Sequence, residues 1–416
     1  MKKIITELCR LILGITFLFS GTVKAIDPVG GVLIMEDYFS AFGMTALNPL
    51  ALFVSINLSS IEFLLGLCII TAVYRRLTAF CMLVFMVFMT ALTLYLAIFN
   101  PVHDCGCFGQ AIILTNTQTF LKNALLLLPA SIVTFVNCKK MTPVYTWKAY
   151  WFAAVFGYLF AAGFAYYNYR HLPPIDFLPY KTGFNIPEQM SYPKDAPQDI
   201  YHFVYENNGI KKSFSPDELP AGDSGWTFVD RKLVKQGYIP PIISFELYDE
   251  NGTNIGDIVL ENGIGVFLLI APYLEKASDN HIDEINGMYD YAIENGMLFY
   301  CVTSSSKERM DEWVHNTGAE YPFLTADDVM LKSIVRANPG LVFLKSGYIL
   351  QKWNHNDIPS EETVAEVIEA LLNPSIEKNL KEISRMGWFV CCFALPLLLV
   401  WIYDYCRNRR KKTSIN

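Results

Sequence analysis

Basic charge is in deficit. The 416 residues carry 33 Lys and Arg against 40 Asp and Glu, a formal net charge of -7. A nucleic-acid-binding protein presents a basic face, so the balance argues against that class. Charged residues of both signs make up 18% of the chain and hydrophobic residues 52%. This is more apolar than a soluble domain needs and too charged for a chain lying wholly in lipid.

Long apolar runs account for the imbalance. Residues 11–23, 50–73, 77–99, 120–136, 147–167 and 386–405 are predominantly apolar, and most are long enough to cross a hydrocarbon core of ~30 Å. Lys2, Lys3 and Arg10 precede the first, Arg75 and Arg76 join the second and third, and Lys139 and Lys140 join the fourth and fifth. Arg407, Arg409, Arg410, Lys411 and Lys412 follow the sixth. With alternate threading every cluster falls on one side, so the positive-inside rule predicts an inner-membrane protein with both termini cytoplasmic and residues from about 170 to 385 outside. The first run also fits a cleaved signal peptide, with Val23-Lys24-Ala25 as a small-residue cleavage site. The ten cysteines form no disulfide framework. Cys9, Cys68, Cys81, Cys138 and Cys406 fall inside spans or at their inner ends, where reduced thiols are expected.

The loop between residues 101 and 121 has no Lys or Arg and contains His103-Asp104-Cys105-Gly106-Cys107-Phe108-Gly109. A Cys-x-Cys pair closes a small ring only if the backbone bends sharply, and Gly106 has no Cβ to oppose the bend. Strain in such a ring makes the bond labile, and an outward-facing loop suits disulfide chemistry. The alternatives are two buried, inert thiols and a metal site built from His103, Asp104, Cys105 and Cys107, which needs a fourth ligand. The loop's Gly and Asp content and its lack of packing periodicity favour the redox pair, with no metal. Glu62 lies mid-span among Asn57, Ser59 and Ser60, where an ionisable group is either functional or a protonated carboxyl hydrogen-bonded between helices. Cys391 and Cys392, in the last span, read as apolar filling that could exchange with the loop pair if that helix packs beside it.

Gly14, Phe17, Ser20, Gly21 and Lys24 in the first run, Glu62 with Gly66 in the second, the string from Asp104 to Gly109, and Lys122-Asn123 together resemble the DoxX/MauE family of four-helix membrane proteins, over about residues 4–140. The resemblance implies extracytoplasmic disulfide or redox maturation in concert with a thioredoxin-like partner. It also favours keeping the first helix over cleaving it.

Beyond the fifth span, residues 242–248 and 266–270 read as strands, followed by a helix with Ile282, Ile285, Met288, Tyr289 and Ala292 on one face and Gly296 as its cap. Strand 297–302, helix 307–316, a short helix near 329–335, strands 341–345 and 349–353 and helix 361–372 complete an α/β domain with helices on both faces. This order resembles a thioredoxin-like domain of the TlpA or peroxiredoxin-related kind, spanning about residues 241–374, with Asn338-Pro339 where that fold places its cis-proline. The sequence departs from the family at its redox motif: Leu274 and Ala277 stand in the cysteine positions, and without a thiolate there is no exchange chemistry there. Cys301 sits in an apolar strand and reads as core. The resemblance implies a docking groove at Tyr273, Leu274, Asn338 and Pro339 that recognises extended chain through its backbone.

The expected architecture is an α-helical membrane bundle, four helices over 1–140 plus two further spans (141–170 and 386–406), carrying an extracytoplasmic α/β thioredoxin-like domain over 241–374. A linker or small β region with a hairpin near Asn207-Asn208-Gly209 fills 171–240, a connector covers 375–385, and a basic tail covers 407–416. Function reads as a thiol/disulfide relay through Cys105 and Cys107 with an extracytoplasmic thiol protein or client. Lys24, Glu62, Lys122 and Asn123 are its intramembrane polar groups. The alternative is a noncatalytic assembly factor with a structural disulfide or metal at the loop. A quinone acceptor has no dependable local signature, so the cofactor stays open.

Overall fold

The computed structural model describes residues 2–102, 104–137, 141–220, 225–372 and 377–413. The membrane part is built from α1 (Lys2–Ile26), α2 (Pro28–Ala41), α3 (Ala51–Thr71), α4 (Arg75–Phe99), α5 (Asn116–Ser131) and α6 (Tyr150–Arg170). Five stretches are long and apolar enough to span: Ile4–Ile26, Thr45–Thr71, Arg75–Phe99, Asn116–Phe135 and Gly387–Arg407. The sixth expected span, α6, has the length, 21 residues, but its Tyr and Trp content lowers its hydropathy.

Glycines set the closest helix contact. A Cβ on Gly21 would lie 2.5 Å from the Phe63 amide nitrogen, and one on Gly66 would lie 2.5 Å from that of Leu18. Only glycine at both points lets α1 and α3 touch backbone to backbone. A second small-residue stripe, Ala153, Gly157, Ala161 and Ala165, buries one face of α6, and a Cβ on Gly157 would meet Leu67 of α3 at 2.5 Å. Phe393 of the last helix packs against Phe63, Phe156 and Phe160.

One end of the bundle gathers the basic residues. Arg10 donates to the Thr142 carbonyl at 3.3 Å, Arg75 to the Met141 carbonyl at 2.8 Å, and the Thr146 amide to Asp404 at 2.6 Å. The Cys105 loop, the start of α2 and the α/β region lie at the other end. α2 has no counterpart among the expected elements. Asp27 caps it by accepting from the Gly30 amide at 2.8 Å, and Pro28 occupies its first turn.

After the short helix α7 (Ile186–Met190), β1 (Ile200–Asn207), β2 (Ile210–Phe214) and β3 (Thr227–Lys235) form an antiparallel sheet in the order β2-β1-β3. The expected hairpin turns at Asn208 and Gly209, both at positive φ, as a two-residue hairpin loop requires. Next come α8 (Gly256–Glu261), β4 (Val266–Ile270), α9 (Ile282–Glu294), β5 (Leu298–Thr303), α10 (Lys307–Thr317) and β6 (Phe323–Thr325). The region ends with α11 (Asp328–Ile334), β7 (Gly340–Lys345), β8 (Tyr348–Asn354) and α12 (Glu361–Leu372). The five-stranded sheet runs β6-β5-β4-β7-β8, with β4, β5 and β6 parallel and β7 and β8 antiparallel to their neighbours.

β4 is buried at all five positions. Phe267 and Leu269 pack with α9, α10 and α12 on one face, while Val266, Leu268 and Ile270 pack with α8 and α11 on the other. Cys301 is in the first of these cores, and its burial pushes the thiol pKa up. The expected strand over 242–248 does not form. Ile242, Phe245 and Leu247 are buried while Ile243 is 79% exposed, a spacing that breaks strand alternation. The segment lies over the sheet face and bridges only at Tyr248. The last helix, α13 (Glu377–Thr413), begins within the expected 375–385 connector.

Candidate functional site

The glycine-mediated contact of α1 with α3 brings Ser20 and Lys24 against Glu62. Lys24 Nζ donates to Glu62 Oε1 at 2.6 Å, and both side chains are at least nine-tenths buried. The Ser20 hydroxyl lies 2.7 Å from Glu62 Oε2 and 2.6 Å from the Cys107 carbonyl, so its single proton serves one of them at a time. A mid-span carboxylate is thereby paired and joined to the cysteine loop through one hydroxyl.

The loop turns at Gly106, with φ of 63°, and at Gly109, with φ of 52°. A Cβ on Gly106 would also press on the tip of the Ile34 side chain of α2, so it is chiefly the positive φ that favours glycine there. Asp104 accepts from the Gly106 amide at 2.7 Å, and Tyr38 of α2 donates to the Cys105 carbonyl at 3.4 Å. Asn116, at the start of α5, donates to the Val102 carbonyl at 2.9 Å. Both thiols are buried, with their sulfurs 3.0 Å apart.

Lys122 of α5 lies 4.0 Å above the Phe108 ring, and Asn123 donates to Thr93 at 3.2 Å. Cys107, Phe108, Ser20, Glu62, Lys122 and Asn123 border a chamber of about 30 Å³, room for one or two waters. The hydrogen bond from Cys105 lowers the Cys107 thiol to about 6, with help from the Lys122 and Lys24 ammoniums and against burial and Glu62. The same contact, with burial, pushes Cys105 up. The pair is therefore asymmetric, with Cys107 the more acidic thiol.

Of the expected loop residues, His103 lies outside the described residues. Among the described residues no three metal-ligating side chains converge. Cys391 is exposed and Cys392 half-buried, on a helix that packs against α3 and α6. Sequence reasoning did not single out Ser20 as a link to the loop, nor Tyr38, whose helix was missed; the Asp27-Pro28 cap was the available signal.

In the α/β region, the Tyr273 hydroxyl donates to Asp328 at 2.6 Å and Lys332 donates to the Tyr273 oxygen at 2.9 Å. Asn338 donates to the Tyr273 carbonyl at 2.8 Å, and the Asn338-Pro339 bond is cis. Tyr273 and Asn338 line a cavity of about 410 Å³ whose opposite wall is Val29, Val32, Leu33 and Glu36 of α2. Leu274 and Pro339 are buried instead, Leu274 within the sheet's core. Arg336 reaches across to Asp27 at 3.2 Å, a buried ion pair joining the α/β region to the cap of α2.

Residues 2–136 match the family model described as methylamine utilisation protein MauE. Residues 200–236, which hold the three-stranded sheet, match a domain of unknown function (DUF8463). No curated protein and no solved structure matches the chain. The helices that hold Ser20, Lys24, Glu62, Lys122 and the Cys105/Cys107 loop thus form a MauE-family membrane domain.

Proposed function

We propose that the MauE-family domain exchanges electrons with an extracytoplasmic thiol protein through Cys105 and Cys107. The observation that carries this reading is the sulfur pair itself: 3.0 Å apart on a glycine-bent loop, with the Lys122 and Lys24 ammoniums both favouring the Cys107 thiolate. A thiolate beside a protonated thiol is the arrangement that thiol exchange uses, Cys107 attacking a disulfide and Cys105 resolving the mixed disulfide. In that step the Cys107–sulfur bond forms as the client S–S bond breaks. Cys105 then displaces the client thiolate, so the client gains two electrons and the loop loses two. The reverse sequence oxidises a client.

The α/β region is read as a thioredoxin-like domain that has lost its cysteines and retains a binding role. The order β6-β5-β4-β7-β8 and the Tyr273/Asn338 cavity support this. Because that cavity is walled by one face of α2, and the opposite face carries Ile34 and Tyr38 against the cysteine loop, a client seated there lies one helix away from the dithiol. Orientation follows from the basic end of the bundle, which the positive-inside rule assigns to the cytoplasm of a bacterial-type inner membrane.

The test is mixed-disulfide trapping in membranes. Cys105→Ser in the full chain leaves Cys107 without its resolving thiol and should accumulate a reductant-sensitive adduct. The adduct should be absent in Cys105→Ser/Cys107→Ser. Equal adduct in both would refute the assignment, as would a stoichiometric metal lost in Cys107→Ser.

A further inference from the structure

Closing a bond between Cys105 and Cys107 releases two electrons and two protons, so an acceptor has to reach the pair. Cys105 borders a second cavity, of about 280 Å³, near the lower end for small-molecule sites. Gly30, Gly31 and Ile34 of α2, Val54 and Leu58 of α3 and Phe88 and Leu92 of α4 line it with apolar surface. Lys24, Tyr38 and Asp27, the last paired with Arg336, also border it. Glu62 takes one of the three donors of the Lys24 ammonium. Phe88 is 64% exposed on a helix apolar enough to span, so this side of the cavity fronts lipid rather than water. A molecule arriving by that route must be lipid-soluble, and one that becomes anionic on reduction meets a buried ammonium.

We propose that this cavity binds the head group of a membrane-soluble quinone that oxidises the Cys105/Cys107 dithiol, an inference that rests on the dithiol reading above. Two thiols lose two electrons and two protons and one S–S bond forms. The quinone takes both electrons and two protons, and its two carbonyls become hydroxyls. Lys24 stabilises the oxyanion that forms before the second proton arrives, and Cys105 faces the ring.

The experiment mixes reduced full-length protein in quinone-free nanodiscs with decylubiquinone under anaerobic conditions. One quinone should be reduced per protein as the 105–107 peptide loses both alkylatable thiols. Val54→Trp and Leu92→Trp fill the cavity from different helices and should each slow the reaction at least tenfold, whereas Phe80→Trp, on the lipid face of α4 away from the cavity, should not. Leu58→Phe replaces either filling variant that fails to fold. Wild-type protein is challenged separately with glutathione disulfide. Oxidation by that reagent without quinone reduction overturns the quinone site and leaves the dithiol reading standing. Oxidation by neither overturns the dithiol reading, and quinone rates unchanged by every filling variant overturn the cavity as the site.

Discussion

Cys105→Ala tests the asymmetry of the pair. Cys107 is held at about 6 against an ordinary 9.0, a gap worth about 4 kcal/mol in favour of the thiolate. One pH unit above its pKa, thiolate outnumbers thiol by about ten to one, so about nine-tenths of Cys107 is reactive at pH 7. The hydrogen bond from Cys105 is the largest of the lowering causes. Its loss therefore moves the Cys107 titration to higher pH and leaves less thiolate at pH 7. Iodoacetamide alkylation of the full chain is followed at the 105–107 peptide by mass spectrometry from about pH 5 to about pH 9, and the readout is the inflection rather than the rate at one pH, because a thiolate of higher pKa is also the stronger nucleophile. That inflection should move to higher pH. An inflection unchanged from wild type would show that Cys105 does not hold the thiolate, and would refute the assignment of attacking and resolving roles.

Lys122→Gln should move the same inflection upward by less, because the ammonium acts through space, and Glu62→Gln should move it downward by removing a negative charge; alkylation profiles separate the two signs. Glu62→Gln also strands Lys24 as a buried unpaired cation, at about 3–5 kcal/mol, which should appear as a lower melting temperature in detergent. Arg336→Met leaves Asp27 buried and unpaired at a similar cost of about 3–5 kcal/mol, with faster amide exchange expected at Gly30 and Gly31. A reporter active only outside the cytoplasm should work when fused near Gly209 or Lys307 and fail at Lys140 or Lys411; the opposite pattern overturns the orientation.

Much of the site was legible because its chemistry is local or glycine-dependent. The Cys-Gly-Cys turn needs a positive φ that glycine supplies, and Gly21 and Gly66 mark where two spans must touch, which is what presses Lys24 against Glu62. The α/β strands and helices follow equally from burial: the fully apolar β4 can only be central, and Ile285, Met288 and Ala292 can only face it. What the sequence concealed depends on contacts between distant segments. Nothing local to Ser20 says that its hydroxyl meets the Cys107 carbonyl. α2 was hidden because its apolar residues face two cavities rather than one core, which leaves no single stripe to read. The segment 242–248 has strand-like composition, but its burial is set by the sheet beneath it. The Tyr273 cavity faces α2 through the Asp27–Arg336 pair, a contact between residues 309 apart in sequence.

The most direct measurement is the redox state of the loop in its native membrane. Cells are acid-quenched before and after a pulse of oxidant or reductant, free thiols are alkylated, and the 105–107 peptide is analysed by mass spectrometry. A thiol-exchanging pair should give a mixed population of doubly alkylated dithiol and unalkylated disulfide whose ratio follows the treatment. A peptide that stays in one state under both treatments would contradict that reading.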